Sequence, residues 1–239
     1  MRNSLISKLI GFLFLYPLLI NSALSKNIDN QLLINQLEKI LNQRKDDLLE
    51  DVFSEKSFYK FNKQFLAFRN KYKDAKWSIK MIENDPNNSL LDIKIKSTRT
   101  IRDQIYNLYA KQTVKIKTYK NIIIDYKVVD EESILNSQKS PLIVKIISPE
   151  KVLTGERYEI NLIIESPLDN SLIASGIILI QNNENMNISN DLFGIKPNQS
   201  GGIFKYIQAP LEAGSQTISA IIAHPEGIYS ITKKIKVGL

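Results

Sequence analysis

Apolar residues recur at helical spacing in two segments near the start of the chain. In the first segment, the apolar positions between residues 33 and 52 fall on one side of a 3.6-residue wheel. In the second segment, five aromatic residues follow at alternating spacings of three and four: Phe58, Phe61, Phe65, Phe68 and Tyr72. The two patterns predict two amphipathic helices, the first over about residues 30–50.

The outer side of the second predicted helix is basic. It carries Lys56, Lys60, Lys63 and Lys71, which cluster within roughly a quarter of the helical wheel. Two interpretations stay open for this basic face. It is either a solvated surface or a docking face for an acidic partner or an anionic membrane surface.

Strict alternation of apolar and polar residues then replaces the helical spacing. Four runs show it, around residues 77–81, 91–95, 106–116 and 122–128, and Asp85 to Asn88 supplies a turn between the first two. The pattern predicts four antiparallel strands whose apolar face receives the two helices. The first half of the chain is therefore expected to be an α+β domain.

This order of elements, over about residues 30–135, resembles the cystatin-like and NTF2-like α+β folds. The choice between the two stays open, because no segment matches the third helix that NTF2-like domains insert. The resemblance implies a cone between helix and sheet that holds a small ligand or an active site. The polar side chains expected to reach such a cone are Tyr106, Asp125 and Tyr126.

The second half of the chain has the pattern of an all-β domain. Six runs rich in β-branched residues lie within residues 142–147, 158–164, 173–180, 203–207, 217–223 and 229–237, with glycine- and proline-containing turns between them. Short strands at this spacing predict a β-sandwich. The segment from Ser148 to Ile164, SPEKVLTGERYEINLII, resembles the first strands of bacterial immunoglobulin-like domains, although the cysteines of antibody domains are absent.

Glycine usage marks the expected boundary between these halves. After Gly11, the next glycine is Gly155, and the polar stretch from Asn136 to Pro141 has the composition of a short linker. The predicted organisation is a leader at residues 1–25, an α+β domain at 26–136, a linker at 137–141 and an immunoglobulin-like domain at 142–239.

The first 25 residues have the features of a secretory signal peptide. Arg2 and Lys8 precede an apolar core from Leu9 to Ile20, and small residues follow from Ala23 to Ser25. An uncleaved anchor is the alternative, but a core this short is well below the roughly 20 residues needed to span a bilayer. We expect cleavage before Lys26 and export to the periplasm, the extracytoplasmic envelope or a lumen.

Composition narrows the possible chemistry. The chain has no cysteine, which excludes disulfides and thiolate chemistry. The formal charge of +7 comes from the first half, but lysine is far commoner than arginine, and a bias in codon usage explains this better than nucleic-acid binding does. A single histidine, His224, leaves no conventional zinc site, and the first half has no glycine for a phosphate loop. The acidic runs at Asp46–Asp51 and Asp130–Glu132 are read as solvated surface.

The sequence therefore favours an exported, non-enzymatic binding or assembly protein of the cell envelope, with a protein partner and no cofactor or metal. The alternative is a small-molecule binder, or a cofactor-free isomerase or hydrolase, that uses the cone of the first domain. No catalytic residues are assigned.

Overall fold

Three helices open the described part of the chain, which in this computed structural model comprises residues 16–85, 88–140, 142–166, 171–180, 194–198 and 201–238. Helix α1 is Tyr16–Gln43, a 3₁₀ helix spans Asp46–Asp51, and α2 is Glu55–Lys71. Residues 1–15 of the expected signal peptide lie outside the described residues. Backbone helix continues from Tyr16 through the expected cleavage point at Ser25, and no helix among the described residues is long and apolar enough to cross a membrane.

Twelve strands follow the helices among the described residues. They are β1 Lys76–Glu83, β2 Ser89–Ile101, β3 Gln104–Tyr119, β4 Ile122–Ser137, β5 Val144–Ile147, β6 Lys151–Leu153, β7 Arg157–Ile164, β8 Ile173–Ile180, β9 Lys196–Asn198, β10 Gly202–Gln208, β11 Gly214–His224 and β12 Gly227–Gly238. Contacts group the described residues into two units. Unit 1 lies within Met1–Gln64, Ile79–Asp92 and Lys115–Lys127, and unit 2 lies within Phe65–Ser78, Ile93–Val114 and Val128–Leu239.

The strands form two sheets. The larger has nine strands in the order β1-β2-β3-β4-β12-β11-β8-β9, with β6 pairing in parallel to β12. The smaller has the order β10-β7-β5. The end of β4 joins the larger sheet, because Glu132 to Asn136 pair with Lys233 to Tyr229 of β12.

The predicted fold class is therefore wrong. The chain is mostly β, and no four-stranded sheet carrying two helices in the manner of a cystatin-like or NTF2-like domain is seen. A separate immunoglobulin-like sandwich is not seen either, since β8, β11 and β12 belong to the same nine-stranded sheet as β1 to β4. The prediction failed because β4 continues through the largely polar stretch from Asp130 to Ser137 and pairs with β12.

Two features organise unit 1: the buried face of α1, and the hydrogen bonds that connect the start of α2 to β4. The predicted apolar stripe of α1 is buried at Leu33, Ile34, Leu37, Ile40 and Leu41. The helix ends before Arg44, whose φ of 59° is left-handed, so the predicted helix over 30–50 is split. Ahead of α2, Ser54 N–H donates to Ile123 O at 2.9 Å, and the Ser57 hydroxyl donates to the same oxygen at 2.6 Å.

Unit 2 holds a core built from alternate residues of both sheets. The inner positions of β7, Tyr158, Ile160, Leu162 and Ile164, lie in one cluster with buried residues of β8, β11 and β12. Each buried aliphatic side chain contributes about 1.5–3 kcal/mol relative to exposure. The period-2 alternation thus fixes which face of the three-stranded sheet is buried, and the opposite face of β7 and its neighbours points to solvent.

Candidate functional site

The three residues expected to reach a ligand cone lie on two different strands. Tyr106 of β3 belongs to unit 2 and is buried, and its hydroxyl donates to Gln104 Oε1 at 2.9 Å. Asp125 and Tyr126 of β4 belong to unit 1. Asp125 is exposed, and its Oδ1 accepts a hydrogen bond from the N–H of Tyr126 at 2.9 Å.

Tyr126 is the centre of a small aromatic cluster in unit 1. Its ring makes edge contacts with Phe53 at 6.3 Å and with Phe61 at 6.2 Å between centroids. Burial raises the pKa of the Tyr126 hydroxyl above its ordinary value, and the charge of Asp125 adds to the rise. The Tyr126 hydroxyl is buried and has no hydrogen-bond partner among the described residues. These contacts pack the Tyr126 ring against Phe53 and Phe61.

The four lysines of the predicted basic face are all exposed on α2. Lys60 is held in place: its Nζ lies 4.7 Å from the centroid of the Tyr126 ring and donates to Tyr126 O at 3.2 Å. Lys71, in the last turn of α2, instead lines a groove of unit 2. The four lysines lie on one helix, but the structure gives Lys60 and Lys71 different neighbours.

This groove, called the basic groove below, lies where α2 ends and β2 passes. Its volume is about 600 Å³. Eight residues line it, from the end of α2 and the following turn and from β2: Ala67, Asn70, Lys71, Lys73, Asp74, Thr98, Arg99 and Thr100. Three of the eight side chains are cationic, one is anionic and three are neutral and polar, so the groove carries a net positive charge.

Asp74 fastens the turn after α2 to β2. Its Oδ1 accepts a hydrogen bond from the Ser97 hydroxyl at 2.7 Å, and its Oδ2 accepts one from the Thr98 hydroxyl at 2.6 Å. The Thr98 N–H also points at Oδ1, at 3.4 Å. The hydrogen bonds from Ser97 and Thr98 hold the pKa of the Asp74 carboxyl below its ordinary value. The one carboxylate of the groove is therefore occupied by donors of the protein itself.

Aromatic packing supports the same turn. Phe68 and Tyr72 stack at 5.0 Å between centroids, and Phe68 meets the Trp77 ring edge to face at 5.5 Å. The half-buried Arg99 guanidinium lies 6.0 Å from the centroid of the Tyr72 ring. Tyr72, which the sequence predicted only as part of an aromatic stripe, thus also contacts Arg99 of the groove.

A second candidate surface is the free edge of the three-stranded sheet. Within the described chain β10 pairs only with β7. Ile164 N–H donates to Gly201 O at 2.9 Å, and Ala209 N–H donates to Glu156 O at 2.8 Å. Ladder bonds alternate along an antiparallel strand, so the odd-numbered residues of β10 direct their N–H and C=O groups to β7. Phe204 and Tyr206 direct theirs to the open edge.

The side chains of the same two residues lie on the solvent face of this sheet. Phe204 is 57% exposed and Tyr206 is 61% exposed. Phe204 is in register with Asn161 of β7, which is in register with Ile147 of β5, itself exposed. The Arg157 guanidinium lies 4.9 Å from the centroid of the Tyr206 ring. Open backbone groups and exposed aromatic rings thus belong to the same residues.

Lys205 gives this edge a charge. It lies between Phe204 and Tyr206 on the opposite face, in line with Ile203 and the buried Ile207, and yet it is exposed. A charge on the inward face of an edge strand hinders indiscriminate pairing with other strands. We call the open side of β10 together with Phe204, Lys205 and Tyr206 the β10 edge.

Sequence reasoning missed both surfaces. The strand run at 203–207 was predicted, but its position at a sheet edge depends on pairings that the local pattern does not contain. The groove combines residues 67–74 with residues 98–100. Two features of the sequence could have indicated these surfaces. They are Lys205 within the apolar run of β10 and Asp74 just after α2.

The described residues contain no group of three or more His, Asp or Glu side chains placed to hold a metal ion. Over its described residues the chain is a mostly β protein that has a basic groove and an open, aromatic strand edge. Residues 139–238 match the family model of a domain of unknown function, DUF8623, which covers the three-stranded sheet and β6, β8, β9, β11 and β12. A search of curated proteins found no match.

Proposed function

We propose that the protein is exported and acts as a non-enzymatic binding protein of the cell envelope, and that it takes up an extended segment of a partner protein as an additional strand on β10. The observation that carries the proposal is the coincidence, at Phe204 and Tyr206, of open backbone groups with exposed rings. Strand addition uses both, since the backbone supplies hydrogen bonds and alternate side chains supply specificity.

The charge of Lys205 favours a partner over a second copy of the chain. If β10 paired with β10 of another copy over its full length, Lys205 would face its own counterpart, and like charges directly opposite are destabilising. A partner strand with an acidic residue at that position would form a cross-strand ion pair instead. The expected segment therefore has an acidic residue opposite Lys205 and apolar residues facing Phe204 and Tyr206.

Export is proposed from the leader features of residues 1–25. The protein purified from the envelope or medium of its host should begin at Lys26, as read by mass spectrometry of its N-terminal peptide. An intact Met1 or Arg2 terminus on the envelope protein would mean that the leader is retained, and protein confined to the cytoplasm would contradict export.

Photo-crosslinking tests the docking of a partner strand. With p-benzoylphenylalanine in place of Phe204, the full-length protein should yield a defined crosslinked species in the host envelope. Tyr206→Ala should reduce the yield because a ring is lost. Tyr206→Pro should reduce it further, by roughly tenfold in affinity, because the N–H that points to the open edge is also lost.

The comparison of Tyr206→Ala with Tyr206→Pro isolates the contribution of one hydrogen-bond donor, the Tyr206 N–H. The Tyr206 N–H makes no ladder bond to β7, so proline is tolerated there, as it is on edge strands elsewhere. Tyr59→Ala serves as the control, since Tyr59 is 77% exposed on α2, and it should leave the crosslink unchanged. Equal yields from the alanine and proline variants would refute strand addition, even if a partner were captured.

A further inference from the structure

We propose that the basic groove binds a phosphate monoester, carried either by a soluble molecule or by a lipid head group. This ligand site goes beyond the proposed docking of a partner strand, and it shares no residue with the β10 edge. The observations that carry it are the shallow groove, the net positive charge of its lining and the hydrogen bonds by which Asp74 joins its two sides.

Charge selects the class of ligand. Lys71, Lys73 and Arg99 contribute three positive charges and Asp74 one negative charge, which leaves an excess of two. Within the described residues no ion pair engages any of the three cations. The partial negative charge at the C-terminal end of α2, about half an elementary charge, reduces this excess without cancelling it. A phosphate monoester carries −1.5 to −2 at neutral pH and so matches the excess more closely than a carboxylate does.

The polar groups also suit a phosphate group. The guanidinium of Arg99 is a planar donor that binds phosphate through two parallel hydrogen bonds, and the lysines act as point charges beside it. Asn70 and Thr100 add neutral donors to the lining. A phosphate group has three terminal oxygens for these donors, whereas a carboxylate has two.

Asp74 holds the groove in shape. Its hydrogen bonds to Ser97 and Thr98 tie the turn that carries Lys73 to the strand that carries Arg99. The hydroxyls of Ser97 and Thr98 are neutral donors, so the Asp74 carboxylate keeps its charge, and the three cations of the groove still exceed it by two. The backbone segments on both sides of the groove are therefore joined before a ligand arrives, which lowers the entropic cost of binding.

The experiment uses the full chain and two kinds of probe. Glycerol 3-phosphate and inorganic phosphate are titrated while the amide signals of residues 70–74 and 98–100 are followed by nuclear magnetic resonance. Vesicles of phosphatidylcholine containing phosphatidic acid, which has a monoester head group, are compared with vesicles containing phosphatidylglycerol, which has a diester. Saturable binding of the soluble probe indicates a soluble ligand, and binding only to phosphatidic acid vesicles indicates a lipid.

Variants assign the binding to the groove. Arg99→Gln should weaken binding of whichever probe is active by roughly tenfold, as expected for loss of a charge-assisted hydrogen-bond pair, and Arg99→Lys should weaken it less. Lys63→Gln removes the same charge from a residue of α2 that does not line the groove, and it should leave the affinity unchanged. The far-ultraviolet circular dichroism of each variant reports whether it has folded.

Three results would overturn the proposal. The first is that neither probe binds. The second is that Lys63→Gln weakens binding as much as Arg99→Gln, which would assign the effect to the basic face of α2 as a whole. The third is that phosphatidylglycerol vesicles bind as well as phosphatidic acid vesicles, which would show attraction to any anionic surface. None of these outcomes depends on a partner at the β10 edge.

Discussion

A single polar side chain buried in an apolar core has a structural role that the local sequence pattern does not reveal, and Gln216 is the example here. Gln216 is 1% exposed, and its Oε1 accepts a hydrogen bond from the Tyr158 hydroxyl at 2.7 Å. Both residues lie in unit 2, where Tyr158 belongs to the main apolar cluster. A buried amide oxygen without a partner costs about 1–3 kcal/mol, so the Tyr158 hydroxyl has a structural role that the alternating pattern does not reveal.

Tyr158→Phe should destabilise the protein by about 1–3 kcal/mol at pH 7, because Gln216 Oε1 loses its donor while the ring volume is kept. Urea unfolding followed by circular dichroism measures the change. Tyr206→Phe is the matched control, since it removes a hydroxyl from a side chain that is 61% exposed, and it should change the free energy of unfolding very little.

The wild type and the Tyr158→Phe variant should also differ in how their stability responds to alkaline pH. Burial raises the pKa of Tyr158 to about 12 in the folded protein, from an ordinary value of 10.0. The unfolded chain therefore releases this proton first, so the contribution of Tyr158 is present in full below pH 10 and is lost as pH rises towards 12. The stability difference between the wild type and Tyr158→Phe should shrink over that range. A constant difference would contradict the assignment.

Helices and strands show where local patterns suffice and where they fail. The run predicted at 173–180 coincides with β8, and the aromatic stripe predicted the position of α2. The acidic residues Asp130 to Glu132 were expected to form solvated surface at the end of a strand. They lie half-buried inside β4, where Glu131 Oε1 accepts from Gln112 Nε2 at 3.1 Å and Glu132 lies 3.5 Å from Lys233 Nζ.

Such errors have one physical cause. A polar residue can occupy a strand when a partner distant in sequence supplies the opposite charge or a donor, and its own neighbours do not reveal this. Gly202 makes the same point for β10, since a Cβ there would clash with Leu162 O, although nothing near Gly202 in sequence indicates that close approach. The candidate surfaces depend on the same kind of distant pairing, so the sequence supplied their residues without their arrangement.

At the scale of the whole molecule, the sequence predicted two modules joined by a linker at residues 137–141. In the structure β4 lies beside β12, through pairs that join residues more than ninety positions apart, such as Asn136 and Tyr229. Before residue 140 the left-handed turn positions are held by residues such as Asp103 and Asn121, and after it by glycines such as Gly155 and Gly201. This change of turn residue does not require the end of a sheet. The proposed function therefore rests on the open side of β10 and does not depend on how many modules the chain has.

The central claim, that a partner strand docks on the β10 edge, is tested most directly by amide hydrogen exchange on the full chain with and without the captured partner segment. In the free protein, Ile203, Lys205 and Ile207 should exchange slowly, because their N–H groups face β7, while Phe204 and Tyr206 exchange quickly. On binding, Phe204 and Tyr206 should become protected as well. The claim would be contradicted if both were already protected in the free protein, or if binding protected other segments and left these two amides in fast exchange.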